Sequence, residues 1–289
     1  MKIRRHAARL GAMATIMAFA VTGPALAGDV NYDATLTVNG DTTLVTKAPA
    51  PSFITGLKEV YSGWLFHDET TKAMQMDDFE NPAMLFVDKG HDLWDAVDGS
   101  EGKSCASCHE GIESTKGLRA STPKVNKNNG ELWSMEDYIN DCRTNRMGAE
   151  AWGWSSDEMQ SVVAAISMES RGMPVNVQID GPAEPFWKQG EELYYARTGL
   201  LELSCASCHE QNYSNQIRDE LLSQGQFNGF PVYRLKTTGL VSVHNRLKGC
   251  IRDTRAETYK EGSPELRALE LYVASRGTGL SVEGVSVRP

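Results

Sequence analysis

The sequence predicts an all-α protein of two related helical domains, preceded by a short β-hairpin-like extension. A seven-residue string, Ser-Cys-Ala-Ser-Cys-His-Glu, occurs at Ser104–Glu110 and again at Ser204–Glu210. Each copy is followed by a helical pattern, and an Asn-Gly pair between apolar residues lies near the N-terminus. The chain of 289 residues, 40% hydrophobic and 23% charged, is long enough for two globular domains. This composition argues against a disordered chain and against a membrane bundle.

The first 27 residues have the pattern of a secretory signal peptide. Four basic side chains are followed by an apolar stretch over residues 10–21 and by the cleavage motif Ala25-Leu26-Ala27. We expect export and cleavage near Ala27; an uncleaved anchor is the alternative. Cleavage would change the net charge from −9 to −13, because the segment carries no acidic residue. An acidic chain of this kind is not expected to bind nucleic acid, and no later segment is apolar enough to enter a membrane.

The mature chain is expected to begin with an extension and to divide near residue 180. Apolar positions alternate around Asn39-Gly40 in residues 34–46, which predicts a β-hairpin. The segment 181–185, Gly-Pro-Ala-Glu-Pro, indicates a linker. We therefore assign residues 28–180 to the extension and first domain, and residues 181–289 to the second domain. Helical patterns at residues 158–172 and 264–277 close the two domains, and both end in Ser-Arg-Gly.

Both copies of the repeated string contain Cys-x-x-Cys-His, the attachment pattern of c-type haem. The two thiols add to the haem vinyl groups and the adjacent imidazole binds the iron, so histidine must follow the second cysteine directly. We predict two covalently bound c-type haems. The attachment and proximal ligand residues are Cys105, Cys108 and His109 in the first domain and Cys205, Cys208 and His209 in the second. A redox-active Cys-x-x-Cys or half of a zinc site is the alternative, which the duplication disfavours.

The residue content limits the second axial ligand of each haem. Methionine, the usual ligand in electron-carrying c-type cytochromes, is absent after Glu210, which leaves His244, Cys250 or an open position at the second haem. Cys142 and Cys250 follow their histidines by 33 and 41 residues, so we expect both to be thiolate ligands. The alternatives are a Cys142–Cys250 disulfide, His244 at the second haem, or a methionine at the first. The candidate methionines are Met135, Met147, Met159, Met168 and Met173.

The charges around the two cysteines differ in sign. Residues 131–152, around Cys142, contain five acidic and two basic side chains, whereas residues 234–255, around Cys250, contain six basic and one acidic. Cationic surroundings lower the pKa of a thiol and attract anionic substrates. The second haem site is therefore the better candidate for reactive chemistry. The alternative is a solvated basic face or a set of partners for haem propionates.

Three strings in the chain resemble the SoxA family, the dihaem subunits of the SoxAX cytochromes of periplasmic sulfur oxidation. They are Met74–Leu85, Cys205–Asn212 and Arg246–Ala256, and the resemblance covers nearly the whole mature chain. It implies a periplasmic L-cysteine S-thiosulfotransferase that forms a heterodimer with a SoxX-like monohaem cytochrome c. The reaction implied joins thiosulfate oxidatively to a cysteine thiol of a SoxYZ-like carrier protein and passes electrons to an acceptor cytochrome c.

The resemblance also implies roles for particular residues. Cys250 corresponds to the catalytic axial cysteine that can carry an extra sulfur as a persulfide, and Arg246 matches a basic residue of the active site. Two other classes of function stay open at this point. A plain dihaem electron carrier would explain both haem sites, but it would not explain why methionine is absent after Glu210 or why basic residues cluster around Cys250. A thiosulfate dehydrogenase that forms tetrathionate, or a dihaem peroxidase, needs no carrier thiol.

Overall fold

A computed structural model describes residues 30–289, and the predicted signal peptide lies outside them. The α-helices in this part of the chain are α1 (Glu69–Met76), α2 (Met84–Asp95), α3 (Ala106–His109), α4 (Met135–Cys142), α5 (Asp157–Met168), α6 (Glu184–Tyr195), α7 (Cys205–His209), α8 (Val243–Asp253) and α9 (Pro264–Arg276). Serine hydroxyls at Ser156, Ser242 and Ser263 accept backbone N–H bonds and so begin α5, α8 and α9. No helix within residues 30–289 combines the length and apolar character needed to cross a membrane.

Two helix pairs, α2 with α5 and α6 with α9, form the framework. Each pair crosses at a glycine, Gly90 in α2 and Gly190 in α6. A Cβ at either glycine would lie 2.1 Å from a carbonyl oxygen of the partner helix, that of Ser161 or Ala268. Only glycine allows this approach. Because α2 and α6 also begin and end one hundred positions apart, the same helix crossing occurs twice along the chain.

The all-α expectation needs a correction, because the described residues also form short strands. The predicted hairpin is present: β1 (Leu36–Val38) pairs antiparallel with β2 (Thr42–Leu44). Its turn residues Asn39 and Gly40 have φ values of 54° and 78°, as a type I′ turn requires. The remaining strands are β3 (Lys47–Pro49) with β4 (Glu59–Tyr61), β5 (Lys124–Val125) with β6 (Leu132–Trp133), β7 (Gln216–Ile217) with β8 (Glu220–Leu221), and β9 (Val232–Arg234) between β10 (Gly239–Val241) and β11 (Ser286–Arg288). Strands of two or three residues are too short to show a period of two, so sequence patterning did not predict them.

Each helix pair has its own buried core. The first core includes Val87, Trp94, Met159, Val162 and Ile166. The second includes Tyr194, Phe227, Leu247, Leu266 and Tyr272. The two sets of helices therefore bury separate apolar surfaces, although side chains from both halves meet between them.

The chain end after α9 connects the second half to the first. Val285 is buried in the first core, and β11 pairs parallel with β9. Two residues before Val285, the carboxylate of the buried Glu283 accepts hydrogen bonds from Ser62, Gln75 and Asn228. These donors lie in the N-terminal extension, in α1 and in the second half of the chain. The C-terminal residues thus hold three parts of the molecule in contact.

Candidate active site

The two serines of the repeated string form the helical turn that carries the cysteines. The backbone N–H of Ser204 donates to Ser207 Oγ and that of Ser207 donates to Ser204 Oγ, both at 3.2 Å. Ser104 and Ser107 make the same reciprocal bonds at 2.9 and 3.2 Å. This capping box begins a helix on which the two cysteines stand three positions apart with histidine next in line. The repeated residues themselves therefore determine the local structure of both attachment sites.

His209 is held by a backbone carbonyl on one side of its ring. Its Nδ1 lies 2.8 Å from the carbonyl oxygen of Ser223. Since a carbonyl only accepts, Nδ1 carries the proton and Nε2 keeps a free lone pair, the arrangement of metal-binding histidines. Gly225, with φ of 73°, packs against the ring so closely that a Cβ would lie 2.9 Å from His209 Cγ. The sequence offered no signal for Ser223, because it acts through its backbone.

The thiol of Cys250 lies beside the attachment helix of the second repeat. It is half-buried on α8, within hydrogen-bonding reach of the His209 side chain and within electrostatic reach of Cys205 and Cys208. Burial raises the pKa of the Cys250 thiol, but the positive charge of Arg246, the largest opposing influence, works against burial, and the pKa is lowered to about 7. Arg246 precedes Cys250 by one helical turn, so the two side chains share a face of α8.

Cys142 occupies the corresponding place in the first half but has different electrostatic surroundings. It is the last residue of α4 and lies within electrostatic reach of Cys105 and Cys108. Burial and the neighbouring carboxylate of Asp141 raise the pKa of its thiol, and Arg146 offsets this only in part. The charge difference predicted from the sequence is therefore accompanied by opposite shifts in thiol pKa, downward at Cys250 and upward at Cys142. All six cysteines are free, so the alternative Cys142–Cys250 disulfide is not formed in this structure.

The alternative ligands have other environments. His244, the other candidate ligand of the second haem, is buried, and its ring stacks on Trp154 with ring centroids 4.4 Å apart. Both ring nitrogens have neighbours: Nδ1 accepts the N–H of Gly262 at 2.9 Å, and Nε2 lies 3.3 Å from Glu270 Oε2. Met135, Met147 and Met159 are buried in the first half, the sulfur of Met168 accepts a hydrogen bond from Arg171, and Met173 packs beside Gly117.

The basic cluster around Cys250 is partly neutralised. Arg234 pairs with Glu220 at 3.1 Å and Lys248 with Glu261 at 3.3 Å. Both acids lie outside residues 234–255, so the net positive charge around Cys250 is smaller than the composition of that segment predicts. Arg246 is half-buried on the face of α8 that carries Cys250. The other cations, Lys236, Arg252 and Arg255, are exposed.

A buried polar cluster between the two halves was not predicted. Glu136 and Glu270 are both buried, and Gln160 Nε2 donates to Glu136 Oε1 at 3.2 Å while Ser134 Oγ donates to Glu270 Oε2 at 2.5 Å. His244 faces Glu270 from α8. Burial and the charge of Glu270 raise the pKa of Glu136 to about 7. Nothing in the sequence pattern distinguished these residues from ordinary surface acids.

The residues of both repeats fit a c-type haem. Each half offers two thiols three positions apart on a helical turn and an adjacent imidazole, with a further thiol close by. At the second site the ring of His209 is fixed through Nδ1 with Nε2 free, and Gly225 provides the space that a side chain would fill. Helix pairs that cross at glycine beside a Cys-x-x-Cys-His helix define the chain as a c-type cytochrome.

Comparison with known proteins agrees with this class. The SoxA/TsdA cytochrome c domain family matches residues 89–175 and again residues 189–282. The chain is 55% identical over 277 residues to the L-cysteine S-thiosulfotransferase subunit SoxA of Paracoccus pantotrophus, covering 95% of this chain and 96% of that protein. It is 50% identical over 282 residues to the subunit of the same name from Rhodovulum sulfidophilum, covering 97% and 98%. The chain belongs to the SoxA family.

A solved structure supports the same relationship. The crystal structure of SoxXA from P. pantotrophus contains a chain that superimposes with a TM-score of 0.86 at 56% sequence identity. The superposition covers 88% of this chain and 97% of that chain. The fold described above is therefore shared over nearly the full length of that chain.

Proposed function

We propose that this chain is the SoxA-type subunit of a periplasmic L-cysteine S-thiosulfotransferase. Together with a SoxX-like monohaem subunit it joins thiosulfate to a cysteine thiol of a SoxYZ-like carrier protein. In the overall reaction a bond forms between the carrier sulfur and the outer sulfur of thiosulfate, while one proton and two electrons leave the reactants. The electrons pass to the SoxX-like subunit and on to an acceptor cytochrome c.

One observation carries the proposal: the Cys250 thiol lies beside His209 and Arg246, and its pKa is lowered to about 7 although its partial burial opposes ionisation. Nucleophilic sulfur chemistry requires the thiolate, which the Arg246 charge stabilises. Cys250 is thus the proposed active-site cysteine and the carrier of an additional sulfur atom. Cys142, whose thiol pKa is raised, is proposed to act as a ligand only.

Arg246 is proposed to bind the substrate as well as to stabilise the thiolate. Thiosulfate is a dianion, and the guanidinium group of a half-buried arginine binds such an anion more strongly than a fully solvated cation does. Exposed Arg252 and Arg255 add positive potential at the C-terminal end of α8 and steer the anion towards the site. The neutralised Arg234 and Lys248 contribute less.

We propose two covalent haems, on Cys105 and Cys108 and on Cys205 and Cys208, in the domains 28–180 and 181–289. When bound, the haems supply one-electron transfer. The axial ligands proposed from this chain are His109 with Cys142 and His209 with Cys250. The mature chain, denatured and examined by intact mass spectrometry, should carry the mass of two haems. Recovery of one haem, or of haem that extracts into acidic solvent, would contradict this part of the proposal.

The decisive experiment combines the chain and its SoxX-like subunit with thiosulfate, an oxidised acceptor cytochrome c and a reduced carrier protein with a C-terminal cysteine. Mass spectrometry of the carrier should show addition of one thiosulfate group, with two acceptor molecules reduced for each group added. Formation of tetrathionate without any change in the carrier would identify a thiosulfate dehydrogenase. Electron transfer without thiosulfate consumption would identify a plain electron carrier.

A further inference from the structure

A buried ion pair lies directly behind the second attachment helix. Glu210 follows His209, and its Oε2 lies 3.0 Å from Nη2 of Arg276 at the end of α9. The Arg276 side chain is 0% exposed, and its guanidinium group lies over the ring of Tyr194, 4.4 Å from the centroid. Tyr195 donates a hydrogen bond from its hydroxyl to the same Glu210 oxygen at 3.0 Å.

The same sequence in the first repeat makes a different pair. Glu110 ends an identical string, and Arg171 belongs to an identical Ser-Arg-Gly, yet Arg171 binds Asp78 with two hydrogen bonds of 2.8 and 2.9 Å. Glu110 stays exposed. The backbone accounts for the difference, because Glu110 has φ of 57° whereas Glu210 has φ of −122°. Identical residues therefore point in different directions after the two proximal histidines.

The pair at the second site brings fixed charge close to the attachment residues. Arg276 lies within electrostatic reach of Cys205, and Glu210 is bonded through the backbone to His209. A buried arginine is tolerated only when an anion compensates it, and in the low dielectric of an interior both charges act over longer distances than in water. At the first site the arginine of the repeated triplet, Arg171, pairs with Asp78 instead of Glu110. The buried arginine within electrostatic reach of Cys105 is Arg143, which pairs with Asp98, so the ion pair near the attachment residues is built from different positions at the two sites.

We propose that Arg276 is a positioning residue of the second haem site, acting through Glu210 and Tyr195, and that this ion pair sets the reduction potential of the second haem independently of the first. The proposal rests on the proposed function, which attaches a haem at Cys205 and Cys208. Oxidised haem iron carries one more positive charge than reduced iron. A nearby cation therefore favours the reduced state and a nearby anion favours the oxidised state.

The test is a redox titration of both haems in the complex with the SoxX-like subunit, followed by visible spectroscopy. Glu210→Gln removes the anion, leaves Arg276 uncompensated and should raise the potential of the second haem. Arg276→Gln removes the cation and should lower it. Arg276→Lys keeps the charge and should restore a value near that of the unmodified chain. Glu110→Gln, the matched change in the first repeat, should leave the second potential unchanged.

Shifts of opposite sign for Glu210→Gln and Arg276→Gln support the proposal, because a purely structural disturbance would move both variants in the same direction. Shifts of the same sign, or an unchanged potential in Glu210→Gln, would overturn it. If Arg276→Gln does not accumulate as folded protein, Glu210→Gln and Arg276→Lys decide the question by themselves. A haem count of one in the unmodified chain would instead mark failure of the proposed function.

Discussion

Gly190 in α6 lies so close to Ala268 in α9 that a Cβ on the glycine would stand 2.1 Å from the Ala268 carbonyl oxygen and 2.8 Å from Tyr272 Cβ. Gly90 and Ser161 stand in the same relation between α2 and α5. In both pairs the obstructing atom is backbone, which cannot rotate away. The approach of the two helices, and with it the position of the attachment helix that contacts α6 or α2, depends on the absence of a side chain at these glycines.

Gly190→Ala is therefore expected to destabilise the protein. Overpacking of a core costs about 1–3 kcal/mol of unfolding free energy, and rigid backbone at the contact favours the upper end of that range. Urea unfolding of the haem-loaded protein measures the change. Gly153→Ala is the matched control, since a Cβ there would meet only the Ser156 Cβ at 3.9 Å. Equal stability of the two variants would show that the helix crossing is not the constraint described here.

Replacement of Cys250 and of Cys142, the two cysteines outside the attachment strings, should have different effects on thiosulfate transfer. Cys250→Ala removes the proposed nucleophile, so transfer of thiosulfate to the carrier should stop while both haems stay covalently bound. Cys142→Ala should change the spectrum and potential of the first haem but leave measurable transfer. The carrier assay with mass spectrometry checks both variants. Full activity of Cys250→Ala together with loss of activity in Cys142→Ala would reverse the assigned roles.

Arg246→Gln should raise the thiosulfate concentration needed for half-maximal rate. A partly desolvated charged contact contributes about 1.5–3 kcal/mol, which corresponds to a change of roughly tenfold to a hundredfold in kcat/KM. Arg252→Gln is the comparison variant: because Arg252 is exposed on the same helix, solvent screens its steering charge and its loss should have a smaller effect than that of Arg246. Added salt should weaken thiosulfate use in the unmodified enzyme. A smaller effect for Arg246→Gln than for Arg252→Gln would exclude Arg246 as the substrate-binding cation.

Glu136→Gln should alter the pH dependence of stability. Burial and Glu270 raise the pKa of Glu136 to about 7 in the folded protein, against an ordinary value of 4.5. The folded state therefore binds a proton that the unfolded chain has released, and its stability falls as the pH rises from 4.5 towards 7. The glutamine variant lacks this loss, so its melting temperature relative to the unmodified protein should rise over that interval.

The matched control for this change is Glu131→Gln, at an exposed carboxylate in the same part of the chain. Thermal unfolding of both variants is measured across the interval. A difference between Glu136→Gln and the unmodified protein that stays constant with pH would show that Glu136 is ionised in the folded state throughout.

The sequence by itself determined the parts of the site that depend on neighbouring residues. The two serines, two cysteines and histidine of each repeated string lie within six consecutive residues, so their spacing predicts both the attachment pattern and the helix that presents it. The Asn39-Gly40 turn predicts its hairpin in the same way. Only two cysteines, Cys142 and Cys250, lie outside the attachment strings, and no methionine follows Glu210, so the sequence predicts these two thiols as ligands.

Only the tertiary structure decided which group each charged side chain or histidine ring nitrogen contacts. Arg171 and Arg276 stand in identical triplets, yet one binds Asp78 and the other Glu210. The carbonyl of Ser223 selects the tautomer of His209 from fourteen positions away. Such contacts join groups that are adjacent in space but far apart in the sequence, and their separations along the chain follow no repeating pattern. They depend on backbone direction and burial. No local rule contains that information, because it exists only once the helices have packed.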